Sequence, residues 1–236
     1  MSQTRIDEIH DGIFRVNTPV TEIPGGFSFN QYLVVDDEPL LFHTGPRALF
    51  RGVRDAIARV IPVAKLRWIG FSHFEADECG SMADFLAAAP HARPVCSRVA
   101  AMVGNASFAP DREPRALGDG ESFSTGRRTM KWLDTPHLPH AWDCGFLLDA
   151  TSRVLFCGDL FTQPGLGEQA CTESDILGPS EAFRGEMDYY AHARGARPLL
   201  DKLVATEPHL LACMHGSAYR GDGAAMLRAL GQGLGV

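Results

Sequence analysis

The chain has 236 residues, 45% of them hydrophobic and 22% charged, which suits one large or two small globular domains with a substantial core. Its formal net charge of −7 contains no basic block, which argues against a nucleic-acid partner. No apolar run approaches the roughly 20 residues of a membrane span, and the polar, acidic start through Glu8 is no signal peptide, so a cytoplasmic protein with no membrane attachment is expected.

In chain order, Gly12 to Asn17 alternates apolar and polar residues as a strand does, and Pro24-Gly25-Gly26 turns the chain. Asn30 to Val35 predicts a second strand, ended by Asp36-Asp37-Glu38-Pro39, with Leu40 to His43 as its hairpin partner. From Arg47 to Val60 the apolar residues Leu49, Phe50, Val53, Ala56, Ile57 and Val60 are spaced for one buried face of a helix. A short strand through Phe71 leads to a helix from Ser81, as N-cap, to Ala89, where Pro90 stops it. Pro94 to Ser97 reads as a strand and Arg98 to Val103 as a short helix; Gly104 to Gly120, rich in Pro, Gly, Asp and Asn, reads as a loop.

Strands return at Arg128 to Leu133, Gly145 to Asp149 and Val154 to Cys157. A helix-rich segment is centred on Ser180 to Leu203, Leu210 to Met214 is a last buried strand, and Asp222 to Leu230 a closing helix. No internal repeat or low-complexity linker divides the chain. Strands mixed with helices, and polar residues gathered at strand ends, predict a single α/β domain over residues 1–236.

The densest chemistry lies in Ser72-His73-Phe74-Glu75-Ala76-Asp77-Glu78-Cys79-Gly80, directly after the strand through Phe71. One imidazole and three carboxylates crowded there repel one another and lose solvation unless something neutralises them, and a metal cluster does that. Of the nine histidines, His73, His140 and His215 each follow or end a predicted strand; His10, His91, His192 and His209 sit in polar or helical contexts and read as solvent-facing or capping. Asp159 follows the apolar strand Val154 to Cys157, where an unpaired carboxylate is costly. The six cysteines include no C-x-x-C pair and read as reduced, mostly buried thiols, with Cys79 and Cys213 close to the metal candidates.

The spacing His73-x-Glu75-x-Asp77 resembles that of the metallo-β-lactamase superfamily, with Glu75 where its hydrolases usually carry a second His. The ordered series continued by His140, Asp159 and His215 is similar to the ligand set of the β-lactamase-like domain of flavodiiron proteins, over nearly the whole chain from Asn30-Gln31-Tyr32-Leu33-Val34 to Met214-His215-Gly216. The resemblance implies a four-layer αββα metallo-β-lactamase-like sandwich. It implies that His73, Glu75 and His140 hold one metal, that Asp77 and His215 hold a second, and that Asp159 bridges them. Imidazole with hard oxygen donors and no thiolate suits iron, with zinc or manganese as alternatives. Exchanging a neutral His for anionic Glu75 favours the higher oxidation state, which is the physical argument for redox-active iron.

Two positions depart from the family pattern. Glu78 stands where flavodiiron proteins usually have His, and is either a further ligand of the second metal or an acid at a helix N-terminus. His43, in Phe42-His43-Thr44-Gly45, stands where the superfamily commonly has Asp, and either supports the metal loops by hydrogen bonds or is a satisfied core histidine. His137 competes with His140; the gap to Asp159 favours His140 as ligand and leaves His137 as a pocket residue able to donate a proton. Tyr219, four residues after His215, is a second pocket candidate.

The function expected from the resemblance is a non-haem diiron protein that binds or reduces dioxygen or nitric oxide as its small-molecule substrate. The sequence stops at Val236 without room for the flavodoxin domain of full flavodiiron enzymes, so no flavin is expected within it. A flavoprotein or rubredoxin-like protein is then the expected electron donor, and a homodimer is expected by analogy. The alternative is a dinuclear zinc hydrolase of an ester, thioester, lactone or phosphodiester, with the metals activating a hydroxide.

Overall fold

Alternate residues of the central strands feed two different cores, and this divides the molecule into layers. The computed structural model describes residues 3–108, 111–192 and 194–236. The first sheet contains β1 (Arg5–His10), β2 (Ile13–Val20), β3 (Phe27–Val34), β4 (Leu40–Phe42), β5 (Trp68–Gly70), β6 (Arg93–Ser97) and β7 (Arg115–Leu117), side by side in that order. It is antiparallel from β1 to β4 and parallel from β4 to β7. The second contains β8 (Ser122–Ser124), β9 (Thr129–Asp134), β10 (Gly145–Asp149), β11 (Val154–Phe156), β12 (Cys171–Thr172), β13 (Leu210–Ala212) and β14 (Ala218–Arg220). Its spatial order is β12-β14-β13-β11-β10-β9-β8, with β11 parallel to β13.

On β3 and β4, Tyr32, Val34, Leu40 and Phe42 meet Trp132, Leu147, Phe156 and Leu210 between the sheets. Their neighbours Leu33 and Leu41 point the other way, into a core with Val53 and Ile57 of α1 (Phe50–Ile57) and Phe85 and Leu86 of α3 (Met82–Ala88). The second sheet does the same. Leu147 faces inward, while Phe146 and Leu148 pack with Leu200 and Leu203 of α6 (Ala196–Val204) and Leu227 and Leu230 of α7 (Gly223–Gly233). The period of two along each strand thus builds the expected αββα sandwich.

Several expected boundaries move. The helix expected from Arg47 to Val60 is α1 alone, preceded by a 3-10 turn at Arg47–Leu49; Pro62 disfavours helical backbone at Ile61 and the chain tightens before it. The short helix expected to stop at Val103 runs on as α4 (Arg98–Phe108), since an interior Gly104 costs only about 1 kcal/mol. The loop expected over 104–120 is therefore shortened by α4 and by β7, and its residues 109–110 lie outside the described residues. Ser81 does precede α3, but its hydroxyl donates to the carbonyl of Pro46 (3.1 Å) instead of receiving the helix N–H groups.

The strands β1, β8, β12 and β14 and the one-turn helix α2 (Ala76–Cys79) have no counterpart in the sequence reading. In β1 only Ile9 is fully buried, so the alternation that marks a strand is missing. His10 and His209, expected at the surface, instead approach each other, Nε2 to Nε2 at 3.3 Å, and are half-buried. No helix among the described residues is long and apolar enough to cross a membrane.

Candidate metal centre

The loops after β4, β5, β11 and β13 leave the ends of parallel strands, and with the β9–β10 loop they gather at one edge of the sandwich. His73 and Glu75 lie between β5 and α2, and Asp77 and Glu78 lie on α2 itself. His140 comes from the β9–β10 loop, Asp159 follows β11, and His215 follows β13. All seven sequence-predicted metal residues thus share one end of the fold.

The side chains close on two neighbouring points. Around the first, His73 Nε2 is 2.9 Å and His140 Nε2 3.0 Å from Glu75 Oε2, and the two imidazole nitrogens are 3.0 Å apart. Asp159 turns Oδ2 towards them, 3.6 Å from His73 and 3.3 Å from His140. Its other oxygen, Oδ1, lies 3.2 Å from His215 Nε2, which is itself 3.4 Å from Asp77 Oδ2. One carboxylate therefore serves both groups. Glu78 Oε2 reaches to 4.0 Å from His73 Nε2.

Each imidazole is aimed by its other nitrogen. His140 Nδ1 donates to the carbonyl of Tyr189 (3.0 Å) and His215 Nδ1 to the carbonyl of Ser28 (2.9 Å). His73 Nδ1 lies 3.0 Å from Ser72 Oγ, and that hydroxyl lies 3.1 Å from His43 Nε2. With Nδ1 holding the proton, Nε2 of all three rings presents a lone pair inward, as metal-binding histidines do. Among the described residues, His43 is thus linked to the cluster by a hydrogen bond through Ser72. Cys79 contributes a thiol that donates to the carbonyl of Glu75 (3.1 Å), and Asp143 accepts the backbone N–H of Phe74 (2.8 Å).

Without a cation, protons must hold these charges together. Burial works against charge on His73, but Cys144, Glu75 and Asp159 overcome it and push its pKa up to about 11. Burial likewise opposes charge on His215, while Asp159 and Asp77 push it up to about 10. Hydrogen bonds from His140 and then His73 hold Glu75 down at about 2. Burial favours the neutral form of Asp159, yet His215, His73 and His140 keep its pKa below the usual carboxylate range.

Glu78 is the exception. Burial, then Asp159 and Asp77, raise its pKa well above the ordinary value. It is fully buried, and neither carboxylate oxygen has a hydrogen-bond partner among the described residues. An orphaned buried carboxylate beside two others fits a site built for cations. Hard oxygens and imidazoles, with every described cysteine free and no thiolate in the cluster, fit two divalent or trivalent ions of the iron, manganese or zinc type.

The cluster is open on one side and walled on the other. The Glu75 side chain is half exposed, whereas His73, Glu78, Asp159 and His215 are buried. Phe27 packs on His215 (ring centroids 4.4 Å), Phe183 stacks on Phe27 (5.8 Å), and Tyr189 meets His140 edge-on (6.1 Å). None of these aromatic walls was singled out in the sequence: Phe27 opens β3, Phe183 lies on a helix over Leu177–Met187 and Tyr189 follows it, and only the tertiary structure brings them to the cluster.

Two pocket candidates do not join the cluster. His137 is exposed and lines a separate cavity of about 110 Å³ with Leu138, Tyr190, His192, Ala196 and Val236. The Tyr219 hydroxyl lies over Gly221, at the far end of β14. Tyr189 is the tyrosine at the cluster: its carbonyl aims His140, and its hydroxyl donates to the carbonyl of Asp159 (3.3 Å).

Comparison with known proteins places this site in context. The family model described as ODP family beta lactamase matches residues 27–216. The chain is 26% identical over 209 residues to the rubredoxin-oxygen oxidoreductase of Megalodesulfovibrio gigas, covering 84% of this chain and 50% of that protein. It is 23% identical over 207 residues to the anaerobic nitric oxide reductase flavorubredoxin of Salmonella arizonae, covering 83% of this chain and 42% of that one. Its fold matches the metal-soaked Flv1 flavodiiron core of Synechocystis sp. PCC6803 with a TM-score of 0.86 at 20% identity, covering 99% of this chain and 61% of that chain. The chain spans about half the length of the curated relatives it matches.

Proposed function

The chain belongs to the ODP family of β-lactamase-like proteins, and from that premise we propose that it is a dinuclear non-haem iron protein that binds or reduces dioxygen or nitric oxide. The observation that carries the proposal is the division of Asp159, with Oδ2 facing His73 and His140 and Oδ1 facing His215. His73, Glu75 and His140 would hold one ion, Asp77, Glu78 and His215 the other, and Asp159 both. Bound there, iron would supply the redox chemistry for binding a diatomic molecule and passing electrons to it.

The remaining work falls to the protein's own groups. Glu75 brings a negative charge where a neutral ring would otherwise stand, which favours an oxidised ion over a reduced one. Ser72 Oγ lies within hydrogen-bond reach of both His73 Nδ1 and His43 Nε2; accepting from Nδ1, it would hold the His73 ring with its Nε2 lone pair inward. Phe27, Phe183 and Tyr189 keep water from one side, leaving the half-exposed Glu75 edge as the approach for substrate and donor. Electrons would come from a flavoprotein or rubredoxin-like partner, and a homodimer remains part of the proposal. The relatives above carry oxidoreductase names, which weighs against the hydrolase alternative.

The experiment is to purify the protein without a metal-affinity tag, count its metals, reduce it without air and then admit O₂ or NO while following the visible spectrum. About two irons per chain and a spectral response to the gas are expected. Two zincs and no response would overturn the proposal.

A further inference from the structure

We propose that Asn30 is the positioning residue of His215, and that its orientation is set from the surface by Arg5 through Asn17. The inference rests on the dinuclear reading above. It starts from a chain of side chains on β1, β2 and β3 that crosses from the first sheet to the second.

Arg5 Nη2 donates to Asn17 Oδ1 (2.8 Å), Asn17 Nδ2 donates to Asn30 Oδ1 (3.0 Å), and Asn30 Nδ2 donates to the carbonyls of Cys213 (2.9 Å) and Gly216 (2.8 Å). Those two carbonyls flank Met214-His215. The backbone N–H of Asn30 also donates to Met214 O (2.9 Å), so one residue grips three of the four peptide units around the ligand. Tyr32 adds a hydroxyl to Cys213 O (2.7 Å) and Arg15 adds Nη2 to Gly216 O (2.7 Å). His215 Nδ1 in turn donates to Ser28 O, on the same strand as Asn30.

Direction is what makes this more than packing. A guanidinium only donates, so Asn17 must turn its oxygen to Arg5 and its amide to Asn30. Asn30 must then turn its oxygen to Asn17 and its amide to the two carbonyls, which only accept. Both ends of the chain demand the same orientation, and no donor meets a donor. Asn17 and Asn30 are fully buried, so a reversed amide finds no water to repair it. Arg5 is partly exposed, which leaves the starting point of the chain within reach of substitution. None of these contacts reaches His73, Glu75 or His140, so the chain bears on the Asp77–His215 position alone.

The test is Co(II) titration of metal-free protein, read by visible absorption, with wild type, Asn30→Asp, Arg5→Met and Arg5→Lys. Wild type should take up two equivalents. Asn30→Asp sets a carboxylate against two carbonyls and should leave the first equivalent unchanged while weakening the second at least tenfold. Arg5→Met removes the obligatory donor at a partly exposed site, together with its bonds to the carbonyls of Leu166, Gly167 and Glu168; the fold should survive and the second equivalent should weaken about threefold, and Arg5→Lys, again donor-only, should restore it. Asp149→Asn, which breaks a buried ion pair with Arg128 remote from the cluster, is the control for general destabilisation and should leave both equivalents intact. Wild type taking up fewer than two equivalents would overturn the dinuclear reading. Two equivalents in wild type together with equal weakening of both, or of neither, in Asn30→Asp would overturn the positioning role; if that variant does not fold, unchanged affinities in Arg5→Met would do so.

Discussion

Replacing Glu78 by Gln should separate the stability of the metal-free protein from that of the metal-bound one. Glu78 is fully buried with no hydrogen-bond partner among the described residues, and burial with Asp159 and Asp77 holds its carboxyl well above the ordinary pKa. Gln is nearly the same shape, carries no charge, and brings two N–H donors that the neighbouring carboxylates accept. Removing a buried unsatisfied group is worth about 1–3 kcal/mol, so the metal-free variant should be at least as stable as wild type. With metal present the sign reverses. A tenfold loss of affinity is about 1.4 kcal/mol, and the same amount leaves the metal-dependent stabilisation when metal is in excess. For a chain of this size that is a fall of about 3–6 °C in the metal-induced rise of Tm. The assay is thermal unfolding of both proteins, with chelator and with excess Co(II). An unchanged metal-induced rise would make Glu78 a plain helix-end acid; an equal fall in both conditions would make it a packing residue.

Asp159→Ala should cost the protein both metals, because one carboxylate faces both groups of ligands; metal analysis that finds one ion retained would contradict the shared role. Metal uptake at pH 7 to 8 should release the protons that His73 and His215 hold at pKa values of about 11 and 10, measurable by titration calorimetry in buffers of different ionisation enthalpy. Both values are raised above the unfolded 6.5, so their contribution to metal-free stability is complete below pH 6.5 and is lost as pH rises through 10 to 11; the metal-bound form should lack that alkaline decline. Asp149→Asn should lower stability by about 3 kcal/mol, because it leaves Arg128 buried without its counter-charge. Metal content should not change, and denaturant unfolding of the metal-loaded protein checks both statements.

What the sequence by itself determined is the part of the site carried by residue type and local order. His73, Glu75, Asp77 and Glu78 fall within six residues, and their mutual repulsion points to a cation before any fold is known. Asp159 was legible for a related reason, a carboxylate directly after an apolar strand. The layered sandwich was legible only through the family resemblance; the residues themselves predicted a mixed α/β domain, and the structure shows successive apolar residues of β3, β4 and β10 facing opposite cores. The weakly patterned strands were not legible, since β1 buries only Ile9 completely and has no alternation to read.

The tertiary structure alone decided how those residues are aimed. His140 and His215 are oriented by the carbonyls of Tyr189 and Ser28, and every residue has a carbonyl, so no side-chain identity announces that role. His137 and Tyr219 have suitable chemistry near the ligands in sequence, yet the backbone carries the first to a separate cavity and the second over Gly221. Glu78 became a buried carboxylate without a donor only once α2 turned it inward. The line from Arg5 through Asn17 and Asn30 to the His215 turn exists because one sheet lies on the other. Contacts across 12 to 186 positions of sequence depend on register and packing, and neither is written in any local pattern.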